Sequence, residues 1–423
     1  MPGSYEVLFE FEMRLSIDKV SAAPELIRDI PYPYHCIMAI CSDLDNTPDW
    51  WTYMETLRFL NSDSQTSLGK GLAIEVGNTI YFDMPAGHFS YWNTDDAGRQ
   101  DIRKLIHSGH IDCIHSYGES ATSRYDAMRC LDELSRHNCK LEVWIDHATA
   151  PTNFGADIMQ GQGDIPGSEA YHADLTFGYG IRFAWLGRVT SVIGQDVHRS
   201  LKCIWRKEHN WVSSQTILKE WAKGILGAFG NAKYRMHWDN QVIRQNTLRD
   251  GRIFHEFMRC NPHPAGVSCG DNADGLSEVL VPTVLERLVQ TRGFCILYTH
   301  LGKANGRSGI LGASTIRALE RLGDYYHQGK ILVGTTRRIL NYCLMKREIS
   351  VSRTVQDGYA TIAITAPQQL SLDGLTIYSD TPVEKIRITV NGRTNNSIYQ
   401  NPPDHTGKRS LSFPWKRLEF PEL

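Results

Sequence analysis

His115-Ser116-Tyr117-Gly118-Glu119 is the stretch whose reading decides the fold, taken with Ser42-Asp43-Leu44-Asp45 before it and Leu297-Tyr298-Thr299-His300 after it. Each follows a short apolar run: Ile37-Met38-Ala39-Ile40-Cys41, Ile111-Asp112-Cys113-Ile114 and Phe294-Cys295-Ile296-Leu297. Short β-prone runs followed by helical patterns read as parallel strands. In a parallel α/β barrel the C-terminal strand ends converge on one face, where catalytic groups collect. The three stretches then form one candidate site of two carboxylates, a histidine with an acid four positions on, and a distant histidine.

Working outward, the rhythm repeats. His35 to Cys41 reads as the first core strand, and Asn46 or Thr47 can cap a helix with Pro48 at its first position. Residues 61–94 read as strands and loops, with 71–82 the most strand-like part. A helix over 95–108 closes at Gly109, and the strand 111–115 follows. A helix over 123–137 precedes the strand Leu141 to Ile145, which ends at Asp146-His147. Residues 150–168, rich in Gly, Pro and Asn, read as a loop over the barrel mouth. Ile181-Arg182-Phe183-Ala184-Trp185 reads as a strand, 216–226 as a helix, 252–260 as a strand, and 277–291 as a helix. After His300 come a Gly-rich segment at 302–312, a helix to His327, a last barrel strand at 331–334, and a helix to about Lys346.

The period then changes from helical to two. Val351, Ala360, Ile362, Ile364, Ile377, Ile386, Ile388 and Val390, with turn dipeptides at Asp357-Gly358, Asp373-Gly374 and Asn391-Gly392, predict a small antiparallel β module over 350–423. The barrel would span 1–349, and residues 4–16 alternate loosely enough for an edge strand outside it.

Bulk properties narrow the function. The chain has 423 residues, 41% hydrophobic and 22% charged, with a net charge of −2, as in an ordinary soluble globular protein. No basic surplus argues for a nucleic-acid partner. No apolar run reaches the roughly 20 residues of a membrane span. Met1 to Leu15 carries Glu6, Glu10 and Glu12 among its apolar residues, unlike a secretory signal. Ten cysteines occur without a CxxC pair, which reads as buried thiols in a reducing cytoplasm.

The candidate residues each allow two readings. Asp43 and Asp45, two apart past a strand, can face one site as a proton acceptor and a metal ligand, or they are an Asp-rich helix cap. His115 and Glu119 suit a zinc-like cation, or His115 is a buried structural histidine. His300 is placed as a general acid, or it is a satisfied core histidine.

The order of the three motifs, each on its own strand end, resembles the NodB-homology polysaccharide deacetylases, as do the helix and the Val-Gly-Thr-Thr strand after the last of them. The resemblance covers roughly residues 35–345. Here an extra residue separates the aspartates, Glu119 stands where the family has histidine, and the late motif is one residue longer. The family's Arg-x-Pro motif is only echoed by Ala150-Pro151-Thr152-Asn153. The resemblance implies a distorted (β/α)7–8 barrel acting as a metal-dependent carbohydrate deacetylase. Asp45, His115 and Glu119 would hold a divalent metal, most simply Zn2+. Asp43 would be the base and His300 the acid. Asp146, His147, Asn153, Arg182 and Trp185 would bind substrate. The alternatives are a glycosidase on a related barrel using Asp43 and Asp146, and a non-catalytic carbohydrate-binding barrel.

Overall fold

The computed structural model describes residues 26–303 and 310–423, so the edge strand expected over 4–16 lies outside the described residues. Eleven strands join the main sheet among those residues. They are β1 (Cys36–Ser42), β2 (Asn78–Ile80), β3 (Ile111–His115), β4 (Val143–Ile145), β5 (Phe183–Trp185), β6 (Val189–Thr190), β7 (Ile243–Thr247), β8 (Ile253–Phe257), β9 (Arg259–Cys260), β10 (Phe294–Thr299) and β11 (Ile331–Val333). Their order is β6-β9-β10-β1-β2-β3-β4-β5-β8-β7, with β11 also paired to β1. Only β7, which pairs with β8, is antiparallel. The result is a mixed α/β fold whose parallel sheet curls into a half-barrel. The expected strand at 252–260 is two strands about Met258, which pair with different neighbours.

Strand alternation sorts the side chains into two layers. Ile37, Ala39, Cys41, Cys113, Val143, Ile145, Phe183, Trp185, Phe257 and Ile296 share the core cluster on the concave side of the sheet. Their neighbours point the other way: Met38, Ile40, Cys295 and Leu297 pack on one set of helices, and Ile114, Trp144 and Ala184 on another. Near-continuous apolar strands are what a parallel sheet covered on both faces requires.

The helices begin where local chemistry satisfies their free N–H groups. Asp49, rather than Asn46 or Thr47, caps Trp50–Asn61 by accepting from the Thr52 amide. Asp95 caps Asp96–Ser108, and Gly109 ends it at φ +83°. Ser123 and Asp126 form a reciprocal capping box at the start of Arg124–Arg136. The helix expected over 277–291 is divided at Pro282, which takes the first turn of Pro282–Thr291.

The C-terminal part differs from the antiparallel module expected. Ser350–Gln356 and Tyr359–Thr365 do form a hairpin through Asp357-Gly358, both at positive φ. Tyr359–Thr365 then pairs in parallel with Ile386–Val390, because residues 366–385 give enough chain for a crossover. Thr376–Tyr378 leaves for a second sheet with Tyr399–Asn401 and Ser410–Ser412. Asp373-Gly374 therefore joins no hairpin. Nor does this part have its own core: Val351, Ile362, Ile364, Ile377, Ile388 and Leu411 belong to the same cluster as Ile37 and Ile296.

Candidate functional site

The inward stripe of each core strand runs on past its C-terminal end, and the polar groups lie there. Ile37, Ala39 and Cys41 lead to Asp43 and then Asp45. Cys113 leads to His115, Val143 and Ile145 to His147, Phe257 to Arg259, and Ile296 through Tyr298 to His300. One period-two rule, applied to five strands, gathers residues separated by more than 250 positions.

Asp45, His115 and His147 form a cluster whose ligand-type atoms all lie within 4.8 Å of one another. His115 Nε2 is 3.2 Å from Asp45 Oδ1, and His147 Nδ1 is 3.5 Å from that oxygen. His115 Nδ1 lies 3.3 Å from the Ile145 carbonyl, to which it donates. Nε2 is buried and faces the Asp45 carboxylate without a well-formed hydrogen bond. A ring nitrogen and a carboxylate oxygen this close need a cation or a proton between them. One carboxylate and two imidazoles are a fitting donor set for a zinc-like divalent ion.

Burial pushes the Asp45 carboxyl up, but His115, His300 and His147 outweigh it and hold it well below the ordinary carboxylate range. Burial and the neighbouring His115 lower the pKa of His147, against the pull of Asp45 and Glu119. His147 is held by Asn153, whose side chain accepts from its amide at 2.9 Å and donates to its carbonyl at 3.0 Å.

Asp43 and His300 flank the cluster. Asp43 Oδ2 accepts from Arg259 Nη1 at 2.7 Å, while Oδ1 is buried and unpartnered. His300 Nε2 is 3.3 Å from Asp45 Oδ2, and Nδ1 donates to the Asp271 carbonyl at 2.5 Å. Burial pulls the pKa of His300 down, but Asp45 and Asp43 hold it above the ordinary value.

Several expected roles are corrected. Glu119 is not in the cluster: its side chain is 53% exposed, and its Oε1 reaches only His147 Nε2, at 3.4 Å. Ser116 and Gly118, both at positive φ, turn the chain away after His115, and His147 completes the set instead. Arg182 precedes β5, at the opposite end of the sheet from the site, where it donates to Asn341 and faces Glu142. Trp185 is only 2% exposed, with the Arg259 guanidinium 3.8 Å from its ring centroid and Tyr298 stacked on it, so its ring is not open to a sugar. Asp146 accepts from Trp144 Nε1 and from the amides of Phe154 and Gly155 at 2.7–2.9 Å. Burial raises its carboxyl to about 7 against those donors. It anchors the 147–155 loop, and the glycosidase alternative loses one of its two carboxylates.

Two site residues were missed. Tyr81 stacks on His115 at 4.7 Å, and its hydroxyl meets both Asp45 and His147 Nδ1. It follows β2 within the strand-like stretch 71–82, where no polar motif singled it out. Arg259 did carry a signal: a permanent charge at an inward position of an apolar strand. Buried charges need partners, and Asp43 and Asp45 stood at another strand end.

No family model, no curated protein and no solved structure matches the chain.

Proposed function

We propose that the protein is a metal-dependent carbohydrate deacetylase built on a distorted barrel of the deacetylase type. The observation that carries this reading is the buried Asp45–His115–His147 cluster, set between a carboxylate with one unengaged oxygen and a histidine of raised pKa. Asp45, His115 and His147 are the residues to hold the ion. When bound there, a divalent ion supplies Lewis-acid polarisation of an acyl carbonyl and acidifies water.

The chain's own groups divide the proton transfers. Asp43 takes the proton of the attacking water on Oδ1, while Arg259, donating to Oδ2, holds the carboxylate in orientation. His300, its ring set by the Asp271 carbonyl and its pKa raised by Asp45 and Asp43, gives its proton to the leaving amine nitrogen. Tyr81 and Asn153 position the histidine and aspartate donors.

The test is acetate release from an N-acetylated chito-oligosaccharide by Zn2+-loaded protein. Asp43→Asn and His300→Ala should each keep the ion and lower turnover by roughly 10²-fold or more. Acetate release that is unchanged in both variants overturns the assignment.

A further inference from the structure

The helix Asn210–Ala228 is amphipathic the wrong way round for a globular protein. Its buried residues are Ser213, Thr216, Glu220, Gly224 and Gly227, spaced three, four, four and three apart. These are small or polar, and Glu220 is held inside by Thr190, Lys223 and His237. The opposite stripe is Trp211, Leu218, Ala222, Ile225 and Phe229, spaced seven, four, three and four apart. Trp211 is 73% exposed, Leu218 63% and Phe229, just past the helix end, 88%. Exposed Trp221 and Leu226 widen it. Gln215 interrupts this stripe between Trp211 and Leu218, and an apolar stripe facing outward marks an interaction surface.

We propose that this face docks on an anionic lipid bilayer, lying in the interface without crossing it. No helix of the described residues is long and apolar enough to cross a membrane. Tryptophan with leucine and phenylalanine on one face, flanked by cations, is the composition of an interfacial helix. Exposed Lys202, Lys207, Lys219 and Arg235 lie on this helix and the short helices packed on it, and none makes an ion pair among the described residues. Glu208 and Asp239 are the exposed acids there, so the exposed charge of these elements is net positive. A second copy docked by two-fold symmetry would bring this positive charge against itself. Aliphatic Leu218, Ile225 and Leu226 have no stacking role toward a sugar, whereas acyl chains accept them.

The experiment is flotation of the full chain with phosphatidylcholine vesicles, with and without phosphatidylglycerol. The chain should float with the anionic vesicles, and less so as salt rises. Leu218→Glu and Phe229→Glu should each cut the bound fraction at least tenfold, and Lys219→Glu should weaken binding to anionic vesicles selectively. Three results overturn the proposal: no flotation on anionic vesicles at low salt, flotation unchanged in Leu218→Glu and Phe229→Glu, or a concentration-dependent dimer or chitin binding that those substitutions abolish without any vesicle binding.

Discussion

Arg259 and Asp43 show what a single charged pair does at the end of a strand. Both are buried, and the guanidinium lies over Trp185 while it donates to Asp43. Arg259→Met leaves the carboxylate uncompensated and should cost about 3–5 kcal/mol, read as a lowered unfolding temperature. Adding Asp43→Asn should recover part of that loss, since the unpaired charge is then gone. Metal affinity separates the ligand assignments: Asp45→Ala, His115→Ala and His147→Ala should each weaken Zn2+ binding by roughly 100-fold or more in competition with a chelator, and Glu119→Ala by less than tenfold. His172 sets a pH limit on stability. Its ring donates to the Thr152 carbonyl and meets the Thr176 hydroxyl, and burial depresses its pKa to about 4. The unfolded chain takes up this proton below about 6.5, and the folded chain does not until about 4. The contribution is complete above 6.5 and is lost as pH falls between the two, up to about 3 kcal/mol. The gap in melting temperature between wild type and His172→Gln should be widest at pH 7 and narrow by pH 4.5.

At the scale of elements, the loops after the strands decide which side chains the site receives. Gly118 has φ +106°, and a Cβ there would lie 1.9 Å from the Asp83 carbonyl oxygen. The Asp83 amide donates to the Tyr117 carbonyl, and the Ser120 amide donates to the Asp83 carbonyl, lacing the two loops together. Gly118→Ala must break that lacing, and should cost roughly 1–3 kcal/mol in thermal unfolding. The same turn carries Glu119 outward. The spacing His-x-x-x-Glu is visible in the sequence, but whether it closes on one cation depends on backbone angles that spacing does not specify. His147 enters because β4 runs beside β3 with His115 level with Ile145.

For the whole molecule, the two parts divided at residue 350 hold separate sheets but one core. The tail adds polar ties: Leu418 donates its amide to buried Glu75, and Arg338 packs over Trp415 at 4.1 Å. Upstream of β1, the Arg28 amide donates to the Thr376 carbonyl, and Arg28 pairs with Asp404. A chain ending at Ile349 exposes the apolar surface these residues cover, at about 25 cal/mol per Å². It should be insoluble or show no cooperative melting transition in calorimetry. A truncated chain that melts as sharply as the full one overturns the shared-core account.

What the sequence by itself determined was local and periodic. Apolar runs such as Ile37–Cys41 announced strands, Gly109 announced a helix end, and the polar residues at strand ends announced where chemistry could collect. These follow from short-range sterics and from the two-residue and 3.6-residue repeats. Only the tertiary structure decided the partners. It brought His147 rather than Glu119 to Asp45 and His115, gave Arg259 to Asp43, and paired Tyr359–Thr365 in parallel with Ile386–Val390. It also turned the apolar stripe of Asn210–Ala228 outward. The physical reason is that strand order, register and helix rotation come from burying one shared core across long separations in the chain, and no local pattern encodes which neighbour that burial supplies.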